Sequence, residues 1–150
     1  MKSFMPICID VSLARIVMIG GGKVALQKLR TITSYACNVH VYARKISPEI
    51  KALGVECEEC EYGPDLVAGA LMVYGCTDDR ELNRRIGRDG RKAGALVCVA
   101  DDPSDCDFVS PAIFRSGEMS VAVSSNGTNA KKAVMWRDEI RRILAERGLS

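Results

Sequence analysis

The sequence predicts an α/β protein: a parallel sheet with helices on both faces, followed by a small α+β extension. Three observations predict it. The apolar run Ile16-Val17-Met18-Ile19 leads straight into Gly20-Gly21-Gly22 and then into a helix-like stretch. Short apolar segments alternate with helical periodicity as far as Asp107. Such alternation requires right-handed crossovers and therefore parallel strands. Beyond Asp107 the alternation stops, and two strand-like segments and one long helical segment remain.

Each element follows from local residue chemistry. Ile16–Ile19 is the first strand, and 23–35 the first helix, with Val24, Leu26, Leu29, Ile32 and Thr33 on its apolar face. Asn-Val-His-Val-Tyr at 38–42 alternates as a strand does. Ser47-Pro48-Glu49 opens a short helix, because Ser caps and Pro suits the first helical position, and Gly54 ends it. Residues 55–60 form a polar third strand expected near a sheet edge. Strands at 71–75 and 96–100 flank a charged helix over 79–93, capped by Thr77 or Asp78. Residues 108–114 and 119–125 are read as a hairpin joined across Arg115-Ser116-Gly117-Glu118. A final helix over 130–147 is capped by Thr128 or Asn129. The division expected is residues 1–107 for a Rossmann-like dinucleotide-binding domain and 108–150 for a hairpin-plus-helix dimerisation extension. The extension cannot bury both of its faces alone, so its expected partner is a second copy of the chain.

Composition narrows the function classes. The chain has 150 residues, 47% hydrophobic and 27% charged, which suits one globular domain with an appendage. A formal net charge of +2 and 5% aromatics argue against a nucleic-acid partner. No apolar stretch approaches the ~20 residues of a membrane span, and the N-terminus lacks a signal-peptide pattern, so a cytoplasmic location is expected. Seven cysteines, an odd number, argue against a disulfide framework. Cys37, Cys76 and Cys98 are expected as small buried apolar side chains.

The chemistry concentrates at strand ends. Gly20, Gly22 and Ala25 fit G-x-G-x-x-(G/A). The first glycine allows a tight turn, the second lets a pyrophosphate approach the backbone, and the small third residue lets helix and strand pack closely. With Gly21, Lys23 and Val24 they form the expected cofactor-binding loop, its helix N-terminus offering free N–H groups. The acidic residue usual ~20 positions later is absent, for no Asp or Glu lies between Gly22 and Glu49. NAD remains the expected cofactor, and Arg44 or Lys45 could hold the 2′-phosphate of NADP. Thr77 and Asp78 either line the cofactor side of the cleft or cap a helix. Asp101 is placed as a general base at a strand's carboxyl end, or as a turn aspartate before Pro103. Ser124, Ser125, Asn126, Gly127 and Thr128 offer hydroxyls and N–H groups to an acidic substrate, or form a plain turn. Arg115, Lys131 and Lys132 are candidate carboxylate binders, whereas Arg84, Arg85, Arg88, Arg91 and Lys92 read as one charged helix face. Cys57-Glu58-Glu59-Cys60 has no second pair at zinc-site spacing, so no metal site is expected, and His40 reads as a surface strand residue.

These residues also carry a family pattern. The chain resembles precorrin-2 dehydrogenase, which also occurs as the N-terminal part of siroheme synthase. The matching segments are Met5-Pro6-Ile7-Cys8-Ile9, Val17–Ala25 with Lys28, Cys76-Thr77-Asp78-Asp79 with Leu82-Asn83, Val99–Pro103, Asp107–Ala112 and Val121–Thr128. The resemblance implies oxidation of precorrin-2, a polycarboxylate tetrapyrrole, to sirohydrochlorin with hydride passed to NAD(P), in siroheme biosynthesis. Some family members also insert ferrous iron. It implies that Asp101 is the catalytic residue and that Ser125 lies near the tetrapyrrole, while the unburied faces of the extension point to a homodimer. The chain departs from the family pattern at Val97–Ala100, where an Asn is usual, and at Thr128-Asn129-Ala130. The sequence ends at Ser150, where typical members continue into a C-terminal helical domain, so part of the substrate cleft is expected to be missing or to come from another chain. The alternatives are a non-catalytic nucleotide-binding regulatory or partner subunit derived from this family, and a chelatase without redox function.

Overall fold

The computed structural model describes residues 2–100 and 102–149, so Asp101 lies outside the described residues. Two compact units are present, Cys8–Phe108 and a unit made from both ends of the chain, Met1–Ile7 with Val109–Ser150. The segment before Cys8, read in the sequence with the dinucleotide-binding part, thus belongs with the second unit.

The larger unit is built on five parallel strands in the order β3-β2-β1-β4-β5. They are β1 (Ile16–Ile19), β2 (Val39–Ala43), β3 (Glu56–Glu59), β4 (Met72–Gly75) and β5 (Leu96–Val99). All four residues of β1 are buried, as a central strand covered on both faces requires. The sequence Glu-Cys-Glu-Glu of β3 suits its place at the sheet edge, where one side meets water.

Helices α1 (Lys23–Ile32) and α2 (Pro48–Lys51) connect the strands on one side of β1, and α3 (Arg80–Lys92) connects β4 to β5. Right-handed crossovers running outward in opposite directions from β1 place α1 and α2 on one face and α3 on the other. Helix α1 buries Ala25 and Leu29, one turn apart, while Val24, expected on its apolar face, is exposed. Helix α2 opens as expected, with Ser47 Oγ accepting from Ile50 N. Helix α3 buries Asn83, Ile86, Gly87 and Gly90, a repeat of three and four residues that makes one stripe. Its cap is Asp79, whose carboxylate accepts from the N–H groups of Glu81 and Leu82. Thr77 and Asp78, the expected caps, lie two residues and one residue before it in the loop.

The cysteines divide by packing. Cys76, Cys98 and Cys106 are buried, but Cys37 is exposed at the turn before β2. Phe108, expected to open a strand, instead meets Tyr74 edge-on at 5.3 Å and closes the core of the larger unit. Pro111, which has no N–H to donate, precedes the actual strand.

The second unit contains β6 (Ala112–Ser116), β7 (Met119–Val123) and α4 (Ala130–Glu146). The strands form an antiparallel pair joined by the two-residue turn Gly117-Glu118, shorter than the expected connection because β6 runs on to Ser116. Gly117 supplies the positive φ, 58°, that such a turn demands. Asn129 caps α4 by accepting from Lys132 N at 2.9 Å. Ala133 is its buried residue, and Arg137, Ile140 and Leu144 continue the half-buried stripe at helical spacing. Among the described residues no helix is long and apolar enough to cross a membrane.

Candidate dinucleotide site

The carboxyl ends of β1, β4 and β5 adjoin one another in the sheet, so the loops that follow them share one edge. At the centre is the glycine loop. Gly20 has φ +137°, and a Cβ there would stand 2.4 Å from the carbonyl oxygen of Cys76. A Cβ on Gly21 would stand 2.1 Å from the Lys45 carbonyl oxygen, and the Gly21 carbonyl accepts from Ser47 N. These two glycines are wedged between the chain leaving β2 and the chain leaving β4. Gly22 differs: no heavy atom lies within 4 Å of where its Cβ would be. It is the N-cap of α1, makes no side-chain cap and is followed by no acidic residue in the first turn. The unsatisfied N–H groups of that turn and its partial positive charge face an open approach. The arrangement fits the phosphates of a dinucleotide. Lys23 and Val24 turn their side chains outward, so the loop offers backbone at these positions, and Ala25 is fully buried beneath.

At the end of β2, Arg44 is exposed and pairs with Glu61 at 2.9 Å. Glu59, at the end of β3, accepts from Ile46 N and Lys51 Nζ. These bonds hold its carboxyl below the usual range, the Lys51 bond most strongly. At the end of β4, the Thr77 loop is fixed by Asn83, the buried polar side chain of α3. Asn83 Oδ1 accepts from Thr77 N and Oγ1, and its Nδ2 donates to the Thr77 carbonyl. Thr77 is therefore held at side chain and backbone, while Asp78 projects into solvent.

The loop after β5 is clamped from several directions. Asp102 accepts from Ser104 N at 3.0 Å and from Ser104 Oγ. These bonds, chiefly the one from the hydroxyl, keep the Asp102 carboxyl below its ordinary value, and the Arg84 charge acts the same way. Cys106 Sγ accepts from Val99 N at 3.1 Å, and its single proton lies within reach of the carbonyls of Val99 and Asp102. Arg91 donates to both carboxylate oxygens of Asp107, to the Asp105 carboxylate and to the Asp105 carbonyl. Asp107 in turn accepts from Val97 N on β5 at 3.0 Å. Asp101, outside the described residues, precedes this clamped segment in the chain.

Beside Asp102 a pocket of about 250 Å³ opens, lined also by Arg80, Arg84 and Val99. The expected single charged face of α3 is thus divided by its surroundings. Arg84 borders the pocket, Arg85 lies 5.4 Å above the Tyr62 ring, Arg91 holds the loop, and Arg88 stays at the surface near Glu81. Sequence reasoning left out Arg80, gave Arg91 only a place on the charged face of α3, and gave Asn83 only a place in the family pattern. The signal available for Asn83 was its place within the helix stripe, where a polar residue needs a partner.

The Cys57–Cys60 pair is half-buried, and burial raises both thiols above their ordinary value. Among the described residues no group of three His, Cys, Asp or Glu side chains is arranged to hold a metal ion.

In the second unit, Asn126 and Gly127 both have positive φ, 56° and 74°. Asn126 accepts from Phe4 N at 2.7 Å and donates to the Lys2 carbonyl, tying the N-terminal segment to the turn. Ser125 accepts from Asn129 N through its hydroxyl and from Thr128 through its carbonyl, and Ser124 Oγ accepts from Asn126 N. Arg115 donates to the Gly117 carbonyl and is exposed. These residues build the turn with their own polar groups, a role the sequence left open beside substrate binding.

Comparison with known proteins agrees with this geometry. A family model described as putative NAD(P)-binding matches residues 7–112. The siroheme synthase of Gluconobacter oxydans is 31% identical over 95% of the chain and 32% of that relative. The siroheme synthase of Chromobacterium violaceum is 35% identical over 83% of the chain and 27% of that relative. The chain thus spans about a third or less of the length of these curated relatives. A solved structure described as SirC, precorrin-2 dehydrogenase, superposes with a TM-score of 0.80 at 20% identity, over 93% of this chain and 70% of that one. It shares the fold, a parallel Rossmann-like sheet followed by a small antiparallel extension. With that family's model matched over most of the sequence, the chain belongs to the putative NAD(P)-binding family.

Proposed function

We propose that the chain is an NAD(P)-dependent precorrin-2 dehydrogenase, converting precorrin-2 to sirohydrochlorin in siroheme biosynthesis. The observation that carries this reading is the open, uncapped glycine loop at Gly22 within a chain similar to siroheme synthases over 95% of its length. The nicotinamide, when bound, accepts the hydride. The chain's own residues do the rest. Backbone amides at the start of α1 hold the diphosphate, and Gly20 and Gly21 keep that loop in one shape between its neighbours. Asn83 fixes the Thr77 loop beside it. Asp101 takes the proton that leaves the macrocycle as hydride departs, and the Arg91–Asp105–Asp107 and Cys106 contacts restrain the chain just after it. The Ser124–Thr128 turn and Arg115 offer polar groups suited to an acidic ligand.

A cytoplasmic homodimer is part of the same reading. Among the described residues the second unit carries a two-stranded sheet with no third strand beside it, and Met119, Met135 and Trp136 are mostly exposed.

The test is an NAD(P)H-formation assay with precorrin-2 generated in place. Wild type turns over, and Asp101→Ala binds NAD+ with unchanged affinity while turnover falls by about 100-fold or more. A wild-type chain that binds NAD+ and never reduces it in this assay is instead a nucleotide-binding partner subunit.

A further inference from the structure

We propose that Cys98 and Cys106 form a reversible dithiol–disulfide pair, and that its oxidation resets the segment of chain that follows β5. The link to turnover rests on the precorrin-2 reading; the pair itself rests on the geometry of the two sulfurs. Both are buried thiols, and Cys106 Sγ stands 3.9 Å from Cys98 Sγ. A disulfide needs its sulfurs about 2.05 Å apart and its two Cα atoms about 4.4–6.8 Å apart. Asp107 N donates to the Val97 carbonyl at 2.7 Å, and Asp102 N reaches the Val99 carbonyl at 3.4 Å. These bonds lay the chain around Cys106 alongside β5 at roughly the 5 Å spacing of neighbouring strands. Closing the sulfurs takes about 2 Å of movement, which rotation about the two Cα–Cβ bonds supplies. The more obvious pair fails on geometry. Cys57 and Cys60 are three positions apart on an extended segment, so their side chains leave opposite faces.

The two thiols sit on unlike supports, Cys98 on a strand inside the sheet and Cys106 on a surface segment. The short 3-10 turn Pro103–Asp105 precedes Cys106, and Pro103 and Ser104 are exposed. Contact with Cys106, and then burial, raise the Cys98 thiol above its ordinary value, so the closed pair reacts slowly. Reaction follows local opening of residues 102–107, a surface segment with its own opening equilibrium. Arg91 biases that equilibrium towards the closed state, because it holds Asp105 and Asp107.

In the opened segment Cys106 meets hydrogen peroxide. Its sulfur attacks the O–O bond and becomes a sulfenic acid, and one water leaves. On reclosing, the Cys98 sulfur displaces the hydroxyl from Cys106 as a second water, and the S–S bond forms. The dithiol has then given up two electrons and two protons, and the peroxide is reduced to water. A reducing dithiol returns both electrons and both protons.

The bond changes what Cys106 touches. As a thiol it accepts from Val99 N at 3.1 Å, and its proton lies within reach of the Val99 and Asp102 carbonyls. A disulfide sulfur has no proton to donate and sits nearer Cys98. The contacts of Cys106 with Val99 and Asp102 are therefore rearranged, and in the chain those two residues flank Asp101.

The experiment treats the full, reduced chain with hydrogen peroxide and then with dithiothreitol. Trypsin releases residues 93–115 as one peptide that holds Cys98 and Cys106 and no other cysteine. After peroxide this peptide is expected to be lighter by two hydrogens and to resist alkylation, and dithiothreitol reverses both. Hydrogen exchange of residues 102–107 changes with oxidation, while NAD+ affinity by calorimetry stays constant. Precorrin-2 turnover falls by about 100-fold, the scale of a misplacement of about 1 Å near a reacting centre, and returns with the reductant. Folded Arg91→Ala forms the disulfide about tenfold faster. Cys98→Ala and Cys98→Val, checked by thermal melts, keep their turnover under the same treatment.

The proposal is overturned if the peptide stays fully open to alkylation after peroxide, or if its disulfide forms without changing exchange in residues 102–107. It is also overturned if folded Arg91→Ala reacts no faster, or if both folded Cys98 variants lose turnover as wild type does. A disulfide that forms and resets the exchange, in a chain that oxidises no precorrin-2 even when reduced, upholds the pair and removes the dehydrogenase reading instead.

Discussion

Three adjacent glycines do different work, and substitution separates them. Gly20→Ala puts a methyl into the Cys76 carbonyl at a positive φ, so stability falls by about 2–4 kcal/mol in a denaturant melt. Gly22→Val adds its side chain to open space, so the melt holds while NAD+ affinity, read by calorimetry, falls by about tenfold or more. At the end of β2, Arg44 forms a surface ion pair with Glu61. Arg44→Ala is expected to weaken NADP+ about tenfold and to leave NAD+ unchanged, measured side by side. His40, the chain's single histidine, gives a pH signature. Burial, and then the Arg15 charge, depress its pKa below 6.5. A depressed histidine is protonated more readily in the unfolded chain, so the folded state loses stability as pH falls through the unfolded value. Melting temperature should decline from pH 7.5 to 5.5, and His40→Gln should flatten that slope.

At the scale of elements, α3 and the loop after β5 form one mechanical assembly. Arg91 reaches from the last turn of α3 to Asp105 and Asp107, and Asp107 reaches on to Val97 of β5. Arg91→Ala should lower stability by about 1–3 kcal/mol, because Asp105 and Asp107, both partly buried, lose their partner. It should also reduce kcat more than it changes NAD+ affinity, since the clamp acts on the chain beside Asp101; an equal loss of NAD+ affinity would place the effect in the cofactor loop. Most elements here were legible in advance. The apolar run of β1, the Ser47-Pro48 start of α2 and the polar edge strand β3 depend on patterns a few residues long. The errors arose where a distant group decided the outcome. Phe108 packs on Tyr74 rather than opening a strand, and Asp79 rather than Thr77 caps α3 because Asn83 holds the Thr77 loop.

For the molecule as a whole, two compact units share one chain, and the second draws on both chain ends through Asn126 and the backbone of Lys2 and Phe4. Along α4, Trp136, Ile140 and Ile143 recur at helical spacing, with Trp136 and Ile143 exposed. A homodimer through this unit should appear by light scattering as twice the chain mass. Trp136→Glu should shift it to monomer without altering the NAD+ affinity of the larger unit; a monomeric wild type would remove the dimer reading. The sequence by itself determined the parallel α/β class, the positions of the strand ends and the glycine loop, because periodicity and backbone requirements are local properties. Only the tertiary structure decided that Gly21 is wedged against Lys45, that Arg84 borders a pocket while Arg91 clamps a loop, and that residues 1–7 join the C-terminal unit. Those outcomes depend on which distant groups close packing brings together, and identical residue types along one helix carry no record of what each will face.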